Sequence, residues 1–238
     1  MSGMTVAYSA EGVEFVGTVF APAGSGPAPG VLVAHESPGI TEHTLAAARK
    51  LAELGFVALA TDYQGGGQVV TDREEMMRRY AWFMADPGHI RARLEAALDA
   101  LKAQPRVDPA RLAAVGYCYG GTAVLELARG GADLRAVVGF HSGLGTARPQ
   151  DAAAIRGKVL VHIGADDPVI PPDQRAAFER EMTAAGVDWW MVTYGRTGHS
   201  FTNPEADGWG MPGFAYSAES DRRSWASTVE LFGEVGLA

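Results

Sequence analysis

The chain alternates between short apolar runs and longer segments in which apolar residues recur at helical spacing. The apolar runs end at glycine or at turn residues, which is typical of buried strands in a parallel sheet covered on both faces. The run nearest the N-terminus is rich in β-branched and aromatic residues instead. The pattern predicts strands at Val13–Phe20, Val31–His35, Val57–Thr61, Leu112–Tyr117, Ala136–Phe140, Val159–Ile163 and Trp189–Tyr194.

The intervening segments predict amphipathic helices. They cover Leu45–Leu54, Arg73–Met84, Ile90–Ala103, Thr122–Ala128, Asp173–Ala184 and Ser220–Phe232. Repeated strand–helix units predict an α/β fold, a mostly parallel twisted sheet with helices on both faces. Ligand sites in such sheets lie beyond the carboxyl ends of the strands, so we expect the chemistry there.

Length and composition predict one globular domain over 1–238, because 47% of the 238 residues are apolar and no segment reads as a linker between domains. The Gly/Pro-rich stretch 22–30 follows too few residues to close a domain and is predicted to be a loop between strands. A second soft stretch, 203–213, is predicted to be a long loop beside the active site.

Charge and cysteine content narrow the function classes. A net charge of −8 argues against nucleic acid or an anionic membrane as partner. No apolar stretch approaches the roughly 20 residues of a membrane span, and no signal-peptide pattern is visible. The single cysteine precludes an intrachain disulfide and suits a reducing compartment. These features predict a cytoplasmic protein.

That cysteine lies in Gly116–Gly121, which reads GYCYGG, between a predicted strand and a predicted helix. A strand that turns sharply into a helix, with glycine two residues either side of the central residue, is the nucleophile elbow. A side chain at either glycine would crowd the strained turn. The context favours a nucleophilic Cys118 over a buried structural cysteine.

A thiol needs a base or a positive environment before it becomes a good nucleophile. In this architecture the acid and then the histidine follow the nucleophile along the chain. Only His199, of six histidines, follows the next candidate acids, Asp166 and Asp167. One aspartate is expected to accept a hydrogen bond from His199 Nδ1, and chemistry alone does not choose between them.

The other histidines are assigned lesser roles. His162 is expected to be a satisfied core residue, and His43 and His89, near helix starts, are expected on the surface. His141 ends a strand and is a possible pocket residue, whereas His35 is expected to shape the loop that follows it.

An oxyanion hole requires two backbone donors. The N–H of Tyr119, directly after the nucleophile, is the first. The second is expected from the loop after the strand Val31–His35, where Ser37 is the better donor and Gly39 the fallback, because Pro38 has no N–H.

Glu36 lies at the end of the same buried strand, where a carboxylate is costly without a partner. Cys118 or an arginine is the expected partner, and we hypothesise that Glu36 helps set the protonation state of the thiol. A plain salt bridge or an exposed loop acid is the alternative.

Taken together, four motifs resemble the dienelactone hydrolase family over Val13–Phe232. They are GYCYGG at 116–121, His-Glu with a following glycine at 35–39, GADDPVIP at 164–171 and GHSF at 198–201. The resemblance implies an α/β-hydrolase fold and a Cys118–Asp167–His199 triad, Asp167 being the fourth residue of the Gly-x-x-Asp turn. It also implies that Glu36 interacts with the thiol.

The implied activity is hydrolysis of a small-molecule carboxylic ester or lactone through an acyl-thioester, with no cofactor. No zinc-binding spacing is present, so no metal is expected. Members that act on dienelactone hold its carboxylate with arginines, one shortly after the triad histidine, but here residues 201–204 read FTNP. The second arginine is a choice among Arg73, Arg78 and Arg79. Candidate substrate contacts are Arg78, Tyr80, Phe201 and Trp209.

Two alternatives stay open. One is a broad small-ester or thioester hydrolase; the other is a non-catalytic ligand-binding or redox-sensing scaffold in which Cys118 is oxidised. A monomer or weak homodimer is expected.

Overall fold

An eight-stranded sheet forms the centre of the computed structural model, which describes residues 2–238. The strands are β1 (Met4–Ala10), β2 (Val13–Phe20), β3 (Ala28–Ala34), β4 (Val57–Thr61), β5 (Val107–Tyr117), β6 (Ala136–Phe140), β7 (Lys158–Gly164) and β8 (Trp189–Tyr194). Their spatial order is β1-β2-β4-β3-β5-β6-β7-β8. β1 and β2 pair antiparallel with their neighbours, and the remaining pairings are parallel.

Over the described residues 2–238, six α-helices connect and cover the strands. They are α1 (Glu42–Glu53), α2 (Arg73–Ala85), α3 (Pro87–Lys102), α4 (Tyr119–Arg129), α5 (Pro172–Ala184) and α6 (Ala218–Glu234). Short 3-10 helices span Pro149–Ala154 and Pro204–Gly208. The predicted α/β fold with helices on both faces is therefore confirmed.

Alternate residues of the central strands feed two separate cores. Leu32 points to the core shared with α3, α4 and α5, whereas its neighbour Val33 points to the core shared with α1 and α6. Strands buried on both faces must be apolar at every position, which explains the near-continuous apolar runs in the sequence.

The structure differs from the predicted elements mainly at the edges. β1 was not predicted, because it is an edge strand whose side chains are at most half-buried and therefore carry little apolar pattern. β5 begins at Val107 rather than Leu112, and β3 ends at Ala34, which leaves His35 in the following loop.

The topology gathers the chemical candidates at one edge of the sheet. Glu36 follows β3, Cys118 follows β5, His141 follows β6 and Asp167 follows β7. Parallel neighbouring strands carry these residues to adjacent places.

Candidate active site

Cys118 occupies a sharp turn between β5 and α4, with φ 51° and ψ −116°. A positive φ is unusual for a residue with a side chain and stores strain. A Cβ at Gly116 would overlap the backbone of Gly120, and a Cβ at Gly120 would overlap the backbone carbonyl of Ala34. Glycine is therefore required on both sides of the cysteine, as an elbow demands.

The thiol, one imidazole and one carboxylate form a continuous hydrogen-bonded line. Cys118 Sγ lies 3.1 Å from His199 Nε2, and His199 Nδ1 lies 2.8 Å from Asp167 Oδ2. The other oxygen of Asp167 accepts the amide of Val169 at 2.8 Å. Asp166 is exposed, so the geometry selects Asp167 from the two aspartates that the sequence left open.

Burial disfavours a charge on His199, but a negative sulfur at Cys118 and the Asp167 carboxylate outweigh it. Together they raise the pKa of His199 to about 10. His199 is therefore protonated when the sulfur beside it is negative, and the thiolate is the reactive form of a cysteine nucleophile.

The backbone of His199 is tied on both sides to the following loop. Its N–H donates to Gly213 O at 2.8 Å, and its carbonyl accepts from Ala215 N at 3.2 Å. The Phe214 ring packs edge-on against the imidazole at 4.7 Å. The end of the loop predicted over 203–213, together with the two residues that follow it, thus holds His199 in place.

Two backbone amide groups are available as the oxyanion donors that the sequence predicts. Within residues 2–238, the N–H groups of Tyr119 and Ser37 have no intramolecular acceptor. Tyr119 also begins α4, whose N-terminus favours negative charge. The fallback donor Gly39 is excluded, because its N–H donates to Glu36 O at 3.1 Å.

Glu36 differs from its expected role as partner of Cys118 or an arginine. It is buried, and its carboxylate contacts His43 Nδ1 at 3.1 Å, Asn203 Nδ2 at 2.6 Å and Ser200 Oγ at 3.4 Å. Burial works to raise the pKa of Glu36, but the hydrogen bonds from His43 and Asn203 outweigh it and hold the pKa below its usual range. The carboxylate is satisfied by this set of donors.

The structure also corrects the expectation that His43 lies on the surface. Its side chain is 10% exposed and lies between Glu36 and Thr202, with Nε2 3.2 Å from Thr202 Oγ1. A residue near a helix start usually faces solvent, but the first turn of α1 packs beneath the loop that follows β3. His89 is half-exposed and pairs with Glu11, as its position suggested.

His141 contacts the nucleophile's own backbone. Its Nδ1 accepts from the Cys118 amide at 3.1 Å, and its Nε2 lies 2.8 Å from Thr202 Oγ1. Because Tyr117 pairs with Phe140 across β5 and β6, the next residue of each strand falls beside the other. That register is the signal in the sequence that could have linked His141 to Cys118; Thr202 carried no signal.

The four candidate substrate contacts fall in different places. Tyr80 packs against the ring of Tyr119, the residue after Cys118, at 5.0 Å, and burial together with the charge of Cys118 raises the pKa of Tyr80. Trp209 is partly exposed behind Phe214. Phe201 is wrong as a pocket residue, because it is fully buried between His141 and Tyr194.

Arg78 also lies apart from these contacts. Its side chain is 69% exposed and pairs with Glu75 on the surface of α2. Arg79, beside it, reaches Gln64 Oε1 at 3.3 Å, and the amide of Gln64 donates to Ser37 O at 2.8 Å. Arg79 therefore connects to the loop of the candidate oxyanion hole through Gln64, while its Nε pairs with Glu75 at 2.7 Å.

Within residues 2–238, no group of three His, Cys, Asp or Glu side chains is arranged to hold a metal ion. No helix in the same range is long and apolar enough to cross a membrane.

Comparison with known proteins gives a consistent result. The model of the dienelactone hydrolase family matches residues 15–236. A solved structure named m3DLH is 43% identical, with a TM-score of 0.95 over 98% of both chains. The dienelactone hydrolase-like promiscuous phosphotriesterase P91, from metagenomic libraries, is 41% identical with a TM-score of 0.93 and the same coverage. A carboxymethylenebutenolidase of Pseudomonas putida is 27% identical over 84% of this chain and 86% of its own length.

Proposed function

The chain belongs to the dienelactone hydrolase family, and we propose that it hydrolyses a carboxylic ester or lactone with Cys118 as the nucleophile. The single observation that carries this proposal is the line from Cys118 Sγ through His199 to Asp167, with contacts of 3.1 and 2.8 Å. A redox-sensing thiol has no need of an imidazole oriented by a buried carboxylate.

In the first step the Cys118 thiolate attacks the carbonyl carbon and forms the C–S bond. The carbonyl electrons move to the oxygen, and this oxyanion accepts hydrogen bonds from the N–H groups of Tyr119 and Ser37. Each such donor lowers the barrier by about 3 kcal/mol in comparable sites. When the oxyanion collapses, the C–O bond to the alcohol breaks and His199 Nε2 donates its proton to the leaving oxygen.

Acylation then prepares the second step. The thioester sulfur carries no negative charge. The pKa of His199 therefore falls, because the negative sulfur was the largest influence that raised it. The imidazole becomes a base, takes a proton from water, and the resulting hydroxide attacks the thioester. Collapse expels the thiolate and releases the carboxylic acid.

The substrate class is proposed from the aromatic and cationic side chains near the thiol and the loop of Ser37. Tyr80 supplies aromatic surface next to the ring of Tyr119, and Arg79 is linked through Gln64 to the loop of Ser37. With no arginine directly after His199, we propose small esters and lactones with a hydrophobic acyl part, and Arg79 as the residue that holds a free carboxylate where the substrate carries one. Similarity to the P91 phosphotriesterase makes a phosphotriester a useful further test compound.

The cellular location and the oligomeric state are proposed from the same chemistry. A thiolate nucleophile must stay reduced, which favours a cytoplasmic enzyme. Every residue of the proposed triad comes from one chain, so we propose a monomer or weak homodimer.

The direct test uses p-nitrophenyl acetate, with release of the phenolate followed by absorbance. Turnover is expected to vanish in Cys118→Ala and to collapse in His199→Ala, while mass spectrometry of the quenched wild-type protein shows one acetyl group per chain. Stoichiometric oxidation of Cys118 by peroxide without ester turnover would instead identify a redox sensor.

A further inference from the structure

A second line of buried hydrogen bonds runs from Glu36 to the backbone of the nucleophile. Glu36 Oε2 lies 3.1 Å from His43 Nδ1, and His43 Nε2 lies 3.2 Å from Thr202 Oγ1. Thr202 Oγ1 lies 2.8 Å from His141 Nε2, and His141 Nδ1 lies 3.1 Å from the Cys118 amide. The proposed hydrolysis uses neither histidine.

The fixed donors in this line determine where the protons lie. The Cys118 amide can only donate, so Nδ1 of His141 must accept and its proton must sit on Nε2. That Nε2–H then donates to Thr202 Oγ1. With His43 neutral, the Thr202 hydroxyl donates to His43 Nε2, and His43 Nδ1–H donates to Glu36, so that each polar group has a partner.

Protonation of His43 changes only the far end of the line. A second proton on His43 Nε2 would make Thr202 Oγ1 accept from both rings, which its two lone pairs allow. The hydrogen bond from His141 Nε2–H to Thr202 survives in both forms. Thr202 is therefore the residue on which the state of His141 depends.

We propose that Glu36, His43 and Thr202 form a positioning array that holds His141 as the neutral Nε2–H tautomer and, through its Nδ1, holds the strained backbone of Cys118 within reach of His199. The array joins four separate parts of the chain: the loop after β3, the start of α1, the end of β6 and the loop after His199. It acts on the nucleophile through His141 and touches no reacting atom.

The array holds two residues whose backbone conformations are strained. Cys118 has φ 51° and His141 has φ 42°, at adjacent positions of neighbouring strands. Such conformations persist only where the surroundings determine them. The Cys118 amide is held by two acceptors, Phe140 O at 2.9 Å and His141 Nδ1 at 3.1 Å, and the second requires the correct tautomer.

The charged and titratable neighbours fit a neutral His141. Burial, with His199 and His43 nearby, holds the pKa of His141 well below its ordinary value. His43 faces Glu36, the edge of Tyr117 on β5, and Asp221 on α6, and the hydrogen bond and charge of Glu36 outweigh burial and raise its pKa. His162, on β7, faces His141 from the other side and is itself kept neutral by burial.

Thr202→Val tests the array, because it removes the central oxygen at almost constant volume. His141 Nε2–H then has no acceptor. In the competing tautomer, His141 Nδ1–H would point at the Cys118 N–H, and two donors cannot form a hydrogen bond. We expect the elbow to shift and Cys118 Sγ to leave hydrogen-bond reach of His199. Alkylation by iodoacetamide at pH 7 should slow about tenfold, with the acid limb of its pH profile moved to higher pH.

Thr228→Val is the matched control, since Thr228 Oγ1 makes a buried hydrogen bond to His162 Nε2 at 3.3 Å outside the array. It should leave the alkylation profile of Cys118 in place, and Thr202→Ser, which keeps the oxygen, should restore the wild-type profile to within about twofold. An unmoved profile in Thr202→Val, or equal shifts in the two valine variants, would overturn the proposal.

A second measurement needs no destabilised variant. Nitrogen-15 NMR of the histidine rings in the wild-type protein should show His141 with Nδ1 unprotonated and Nε2 protonated across the pH range of activity, the assignment being made with His141→Gln. A protonated Nδ1 would refute the array even if Thr202→Val failed to fold.

The proposal rests on Cys118 acting through its thiolate, but alkylation and NMR require no ester. A shifted profile without ester turnover would support the array and remove the ester hydrolase; turnover with an unshifted profile would do the reverse.

Discussion

Asp167 accepts a hydrogen bond from His199 Nδ1 at 2.8 Å, while its other oxygen is held by the amides of Val169 and Ile170 at 2.8 and 3.3 Å. The carboxylate is thus oriented before the imidazole meets it. It determines which nitrogen of His199 faces the thiol.

Asp167→Asn should lower kcat for p-nitrophenyl acetate by about a thousandfold, because an amide can donate to Nδ1 and stabilise the wrong tautomer. Asp166→Asn is the matched control, since Asp166 is adjacent and exposed. Equal losses in the two variants would show that the turn, and not the carboxylate, is what matters.

Gly121→Ala should destabilise the fold by about 3 kcal/mol, because the new Cβ would overlap Ser142 Oγ. Ser142→Gly in the same chain should recover much of that loss, which a double-mutant cycle by urea unfolding would measure. Gly145→Ala is the control, since a Cβ there meets nothing within 4 Å. Additive effects at 121 and 142 would contradict the overlap.

Acid should destabilise the protein through its buried neutral histidines. Burial lowers the pKa of His162 from 6.5 to about 3, so below pH 6.5 the unfolded chain binds a proton that the folded chain does not. The stability from this group is complete above pH 6.5 and is lost as pH falls towards 3. In His162→Gln the slope of unfolding free energy between pH 6 and 4 should decrease by about 1.4 kcal/mol per pH unit.

Urea titrations at each pH give that slope, and the half-exposed His89→Gln provides the comparison. What matters is the slope and not the absolute stability, because His162→Gln also loses the hydrogen bonds to Thr228 and Tyr194. The same slope in His162→Gln and in the wild type would exclude His162 as a source of acid sensitivity.

Arg79→Gln should raise KM for a lactone that bears a free carboxylate by about tenfold and leave KM for its methyl ester unchanged, because a charge-assisted contact would be lost. Arg78→Gln is the matched control one residue away, on the exposed side of α2. If both substrates respond equally to Arg79→Gln, the arginine supports the loop through Gln64 and does not contact the carboxylate.

The sequence was informative where a local motif carries the geometry. The elbow around Cys118 could be predicted because its glycines have a fixed spacing about the nucleophile, although the atoms that exclude a Cβ there include the distant Ala34 O and Ser142 Oγ. The positions of Asp167 and His199 followed from strand ends and chain order, although Asp167 rather than Asp166 needed the family resemblance.

Contacts that join distant segments could not be predicted. Glu36 faces His43 and not Cys118, because the start of α1 folds under the loop after β3, and no local pattern records that packing. Thr202 looked like any polar loop residue and Phe201 like a pocket aromatic, yet both contact His141, Thr202 by a hydrogen bond and Phe201 by packing against its ring in the core.

The anchored backbone of His199 has a kinetic consequence. With its backbone held by Gly213 and Ala215 and its Nδ1 held by Asp167, the imidazole stays in one place, so the departing alcohol and the incoming water must occupy the same position beside Nε2 in turn. Ping-pong kinetics follow from this order. Added methanol or ethanol should intercept the acyl-enzyme in place of water and yield a new ester.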